Sequence, residues 1–145
     1  MLIRHEGLRL KPYRDIKNKL TIGVGRNLDD TGITREEALT LLNNDIATVR
    51  REVELGLPWV SRLNPARKDV ILDMVFNLGL PRFRRFKRTI AAIKVEDWED
   101  AAREMLDSQW AKQVGKRAKE LAAMMTRGKY EVQKAATRPS GSGKL

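Results

Sequence analysis

The hydrophobic period of this chain changes once, near its start, and that change restricts the fold more than any other feature of the sequence. Residues 1–7 read as a short helix ending at Gly7. Leu8, Leu10 and Pro12 then alternate with Arg9, Lys11 and Tyr13, and Leu20, Ile22 and Val24 alternate with Thr21, Gly23 and Gly25. Alternation of this kind is the mark of a strand. The polar stretch Asp15-Ile16-Lys17-Asn18-Lys19 between the two runs reads as a turn, so the pair is expected to form an antiparallel hairpin, closed by a bend from Asn27 to Gly32. Beyond that point every apolar run has helical spacing. The expected class is α+β, predominantly α.

The helices carry their own punctuation. Thr34-Arg35-Glu36-Glu37 fits a capping box, with Thr34 as N-cap and Glu37 reaching back. The stripe Ala38, Leu41, Leu42, Ile46, Val49 and Val53 continues from it to a stop at Gly56 and Pro58. Such a helix of about 20 residues, near 30 Å, is long enough to join two lobes. Asn64-Pro65 opens the next helix, whose buried stripe is expected to be Val70, Ile71, Met74, Val75 and Leu78, ending at Gly79. A basic, partly helical segment covers Arg82 to Ile93. A further helix opens at Glu96 or Asp97 with the apolar face Trp98, Ala101, Ala102, Met105, Leu106 and Trp110, and a last one covers roughly Lys116 to Thr126. The expected division is one domain over residues 1–130. It comprises an N-terminal helix at 1–7, a β lobe at about 8–33, a linking helix at about 34–55 and a helical lobe at about 58–130. A cleft between two such lobes is a natural place for a ligand. Residues 131–145 have linker composition and read as a flexible or appended tail.

Composition excludes several chemistries. The only histidine is His5 and there is no cysteine, which argues against a Ser-His-Asp triad, a Cys-His pair and a thiolate or histidine-rich metal site; no metal or other cofactor is expected. Gly23-Val24-Gly25 is too short for a phosphate loop and opens no helix. The N-terminus lacks the apolar stretch of a signal peptide, and no run is long enough for a membrane span. A target outside a cytoplasmic membrane would therefore have to be reached by some other means of delivery. The formal net charge of +10 draws the chain to polyanions without choosing among them. A monomer is expected.

Acid–base work then falls on carboxyls. Glu6 stands at a helix end, where a negative charge gains nothing from the helix dipole. Asp15 stands in a turn, and Thr21 shares its strand face with Gly23 and Gly25, so that a hydroxyl lies beside open space. Each has a bland alternative: a surface glutamate, a turn-forming aspartate, a hairpin thinned by glycine to bend. Taken together, two carboxyls beside an open face suit glycoside hydrolysis. One protonates the leaving oxygen while the other activates water or attacks the sugar.

The run Glu6-Gly7-Leu8-Arg9-Leu10-Lys11-Pro12-Tyr13-Arg14-Asp15, followed by Leu20-Thr21-Ile22-Gly23-Val24-Gly25, resembles the phage-type lysozymes, the endolysin family of muramidases. The similarity continues at Ile33-Thr34-Arg35-Glu36-Glu37-Ala38, Asp73-Met74-Val75-Phe76-Asn77-Leu78-Gly79, Trp98-Glu99-Asp100-Ala101-Ala102 and Arg117-Ala118-Lys119. It implies a lysozyme-like fold. It also implies hydrolysis, with inversion and without a metal, of the β-1,4 bond between N-acetylmuramic acid and N-acetylglucosamine in bacterial peptidoglycan. By this resemblance Glu6 is the general acid, Asp15 the carboxylate that activates water, and Thr21 a positioner of that water. Asn77, Arg117 and Gly23 become candidate substrate contacts. Arg117 matches a family arginine near the catalytic glutamate, where a cation favours the ionised carboxyl, so burial or substrate must restore the proton. Two departures stand out. Arg26 replaces a histidine found in the T-even type of lysozyme, and the stretch from Gly25 to Thr34 is shorter than in that type.

Trp98 and Trp110 read as core residues on an apolar stripe, and Trp59 as core also. In Arg82-Phe83-Arg84-Arg85-Phe86-Lys87-Arg88, the simplest reading is a solvated edge with the two phenylalanines turned inward; nucleic acid or anionic lipid is the alternative. Competing functional readings are a basic nucleic-acid-binding module, a catalytically inactive wall-binding domain and a lytic transglycosylase. The first leaves the Glu6-to-Gly25 pattern without a purpose, so no nucleic-acid partner is expected. The last can work with a single carboxyl.

Overall fold

A computed structural model of the chain describes residues 1–131; the expected tail therefore falls almost wholly outside the described residues. The fold is α+β and predominantly α, with one small antiparallel sheet and eight α-helices among the described residues. It divides into two compact units, Met1–Asp45 and the chain from Ile46 onward.

The first unit starts with α1 (Leu2–Glu6), which Gly7 terminates at φ 80°, donating its N–H to the Ile3 carbonyl at 2.7 Å. Strands β1 (Arg9–Arg14), β2 (Leu20–Gly23) and β3 (Arg26–Asn27) form an antiparallel sheet in the order β1-β2-β3. Thr21 is the hub of the register, paired with Tyr13 on one side and Asn27 on the other. Pro12 is tolerated because β1 is an edge strand, with one row of backbone groups unpaired. The hairpin is thus a three-stranded meander. β3 runs into the start of the bend expected from Asn27 to Gly32, and at two residues it is too short to show a period.

The alternation that revealed β1 does not mark a buried face. Leu8 and Leu10 are 57% and 81% exposed, and Thr21 is the one buried residue of this unit among those described. The long helix α2 (Arg35–Gly56) behaves similarly. Its capping box forms as expected: the Thr34 N–H donates to Glu37 Oε1 at 2.9 Å and the Glu37 N–H to Thr34 Oγ1 at 3.1 Å. Of the expected stripe, only Val53 is buried, Val49 packs partly against the core, and Leu41 and Leu42 are exposed. Helical spacing sets which side chains share a face. Burial requires a neighbouring layer, and three short strands provide little of one.

The second unit holds the core. α3 (Pro65–Leu78) starts at Asn64, whose side chain accepts the Arg67 N–H at 3.0 Å, and buries Val70, Ile71, Met74, Val75 and Leu78 as expected. A short 3-10 helix (Pro58–Arg62) precedes it. α4 (Leu80–Phe83), α5 (Lys87–Lys94) and the turn between them carry the basic segment, with Phe83 wholly buried and Phe86 packed against the core. α6 (Trp98–Leu106) is capped by Asp97 and buries Ala101, Ala102 and Met105. Two expectations for this helix are corrected. It ends at Leu106, which is exposed. Trp110 belongs to a separate helix, α7 (Gln109–Val114), which Ser108 opens by accepting the Ala111 N–H. Ser108 competes for the backbone locally and breaks an apolar pattern that by periodicity alone looks continuous. α8 (Lys116–Arg127) closes the unit. Arg67 donates to the Met125 and Thr126 carbonyls at 2.8 and 3.1 Å and lies 3.8 Å over the Trp98 ring, tying α3 to the end of α8. No helix of the described residues is long and apolar enough to cross a membrane.

Candidate active site

In the first unit Glu6 is the last residue of α1 and is exposed. Its Oε2 lies 3.0 Å from where a β-carbon on Gly25 would sit. Gly25 also has φ 71°, in the left-handed region that side chains avoid. Two features therefore favour glycine there: the positive φ, and the close carboxyl of Glu6, which a side chain at this position would push aside. The sequence suggested close approach of a ligand or backbone at these glycines; at Gly25 the approaching group is this carboxyl. Gly23, at φ 70°, borders open space: a β-carbon added there would meet nothing within 4 Å.

Asp15 is half-buried at the end of β1. Its Oδ1 accepts backbone N–H groups from Lys17 at 2.9 Å and Lys19 at 2.8 Å, so one carboxyl oxygen is fixed and the group's orientation with it. Thr21 is 3% exposed, and its hydroxyl donates to the Lys19 carbonyl at 2.8 Å. This corrects the expected hydroxyl beside open space. The side chain is covered, and its proton is engaged with the backbone, which leaves the oxygen as an acceptor. Asp15 and Thr21 are thereby joined through the backbone of one residue, Lys19. No sequence pattern marks this link, because Lys19 contributes backbone groups that every residue possesses.

Arg26, at the position of the family histidine, donates to Glu37 Oε1 at 2.7 Å and to the Gly32 carbonyl at 3.2 Å. The guanidinium, with the Thr34 N–H after it, holds the Glu37 carboxyl down to about 2, while Glu37 raises Arg26 above its usual value. The bend that follows β3 is therefore pinned to the first turn of α2.

In the second unit Arg117 donates through Nε to Asp73 Oδ1 at 2.7 Å. Asn77 accepts the Trp110 indole N–H on Oδ1 at 2.9 Å. Trp110 itself is buried and meets Phe86 edge-on, with ring centroids 6.0 Å apart. The carbonyl side of Asn77 thus serves the indole, and its amide NH2 remains the group available to a ligand. Asp73 was not foreseen as the partner of Arg117; the two lie 44 residues apart and no local pattern connects them.

A family model for phage lysozyme matches residues 3–131, nearly the whole described chain. The chain belongs to the phage lysozyme family. Among curated relatives, the pre-baseplate central spike protein Gp5 of Enterobacteria phage T4 is 30% identical over 90% of this chain, which spans only 28% of that protein's length. A probable T4-type lysozyme of Dictyostelium discoideum is 26% identical, with 92% of this chain and 96% of the relative covered. An endolysin of Acyrthosiphon pisum secondary endosymbiont phage 1 is 32% identical, with 81% and 80% covered. A lysozyme is by definition a peptidoglycan hydrolase, and that coarse class comes with the family.

Proposed function

We propose that this chain is a muramidase that hydrolyses the β-1,4 bond between N-acetylmuramic acid and N-acetylglucosamine, with inversion, in phage-driven lysis of the wall or its penetration by a virion. Glu6 acts as general acid on the leaving glycosidic oxygen. Asp15 acts as general base on the attacking water, and Thr21 orients that water through its acceptor oxygen. Inversion requires the water to enter on the face opposite the leaving group, so the two carboxyls must serve different sides of the sugar. The observation that carries the reading is the treatment of the two acids. Glu6 rests on a glycine that leaves room for it, and Asp15 is held by two N–H groups on a single oxygen, which leaves the other to take a proton.

Asn77, Arg117 and Gly23 are the proposed sugar contacts. Asn77 would donate through its amide, Arg117 would present the guanidinium edge not used by Asp73, and Gly23 would admit a ring against bare backbone. The domain proposed to carry this activity is residues 1–130.

The test is clearing of a suspension of permeabilised bacteria by wild type, Glu6→Gln and Asp15→Asn at matched concentration. Both variants are expected to keep the wild-type melting temperature and lose roughly two to four orders of magnitude in rate. Full lytic activity in either variant contradicts the assignment. Mass spectrometry of the released fragments separates hydrolysis, which leaves a reducing sugar end, from transglycosylation, which leaves a 1,6-anhydro end.

A further inference from the structure

Between Asp73 and Glu96 the chain has no acidic residue and six cations, Arg82, Arg84, Arg85, Lys87, Arg88 and Lys94. Five of these stand within Arg82–Arg88, and all five are exposed. Arg84 donates to the Gly56 carbonyl. Among the described residues, Arg82, Arg85, Lys87 and Arg88 make no ion pair, side-chain hydrogen bond or ring contact. The four help to line a groove of about 420 Å³ that Glu104 and Asp107 also line, yet neither acid pairs with them. Some cations elsewhere do meet an acid: Arg26 pairs with Glu37, Arg117 with Asp73 and Lys19 with Asp30. Four uncompensated like charges on adjacent turns repel one another, and the fold offsets this with core packing beneath them.

The apolar members of the segment are already used. Phe83 is wholly buried, Phe86 stacks on it with centroids 6.1 Å apart, and α5 turns Thr89, Ala92 and Ile93 into the core. No large apolar side chain of Arg82–Arg88 is left exposed to enter a lipid layer, and no ring is left to stack on a base. What remains outside is a row of charge dominated by arginine, whose planar fork matches the paired oxygens of a phosphodiester.

We propose that Arg82, Arg85, Lys87 and Arg88 form a docking surface for a phosphodiester-linked glycopolymer carried on the bacterial wall, separate from the groups that cleave peptidoglycan. This rests on the wall being the substrate. The surface raises the local concentration of enzyme on walls that bear the polymer and leaves the chemistry of bond cleavage unchanged.

Binding is measured in the Glu6→Gln background, so that no wall is digested. Co-sedimentation is followed with walls rich in teichoic acid and with the same walls stripped of phosphodiesters by hydrofluoric acid. Untreated walls are expected to bind about tenfold more tightly than stripped ones at low salt, with the difference collapsing at about 0.5 M salt as screening shortens the reach of each charge. R82Q/R85Q/K87Q/R88Q is expected to erase the preference while binding stripped walls like its parent. The halves R82Q/R85Q and K87Q/R88Q, checked by thermal melting, each remove part of it and serve if the fourfold variant melts early. Equal binding to both walls, or a preference that survives all the substitutions, overturns the proposal. So does tighter, substitution-sensitive binding to phosphatidylglycerol vesicles or duplex DNA. Lytic activity plays no part in the readout, so failure of the muramidase reading would appear in the clearing assay and failure of the docking surface here.

Discussion

The two units of this protein are built by different means. From Ile46 onward some twenty apolar side chains are buried in one continuous cluster, with Val70, Ile71, Met74, Phe83, Met105 and Met125 at or near zero exposure. In Met1–Asp45 no apolar side chain is buried, and the one covered residue is a threonine. The first unit is held by backbone pairing, by Asp15 and Asp29 accepting main-chain N–H groups, and by the Arg26–Glu37 pair. Such a unit has little hydrophobic stabilisation but many directional contacts, and these fix the Asp15, Asp29 and Glu37 carboxyls in place. The proposed acid, base and hydroxyl all sit there. The difference teaches that core packing and placement of reactive groups are carried by separate stretches of one short chain.

Substitutions that act on one unit and spare the other test this contrast. The largest effect is expected for Phe83→Ala, which empties a fully buried ring site and should cost about 3–5 kcal/mol in urea unfolding, whereas Leu10→Ala should stay within about 0.5 kcal/mol. A loss at Leu10 comparable to that at Phe83 would mean the first unit has an apolar core after all.

An intermediate effect is expected for Gly25→Ala, at roughly 1–2 kcal/mol for a β-carbon at positive φ, together with a fall in lysis larger than the stability loss explains. Gly23→Ala shares the backbone cost but meets no atom within 4 Å, so it isolates the contact with Glu6 in stability measurements. Equal destabilisation of the two variants would remove that contact from the account.

The smallest effect concerns pH. The Glu37 carboxyl ionises near 2 when folded against an ordinary value of 4.5. A depressed carboxyl stabilises the fold above the unfolded value, and that contribution disappears as pH falls through the folded one. The melting temperature of wild type should therefore exceed that of Glu37→Gln above about pH 4.5, and the gap should close as pH drops toward 2. Both partners are partly exposed, so the gap should be modest and should shrink with salt.

Local rules were legible in the residues themselves. The Thr34–Glu37 capping box, the Asn64-Pro65 helix start and the buried stripe of α3 all involve groups within a few positions of one another. The candidate acids were legible too, because the spacing from Glu6 to Gly25 is distinctive. The features misread or missed from the sequence include β3, which is too short for a period; the break at Ser108, where an apolar pattern runs across a helix boundary; the α2 stripe, where Leu41 and Leu42 are exposed; and the open Thr21 hydroxyl, which is in fact covered.

By itself the sequence determined the family, the hairpin and the starts of α2 and α3, because these depend on residue type at short spacing. Only the tertiary structure decided which apolar faces are covered, that Gly25 makes room for Glu6, that Lys19 links Asp15 to Thr21, and that Arg117 pairs with Asp73. Periodicity establishes which side chains share a face, but what that face meets depends on chain segments distant in sequence, and no local pattern encodes those.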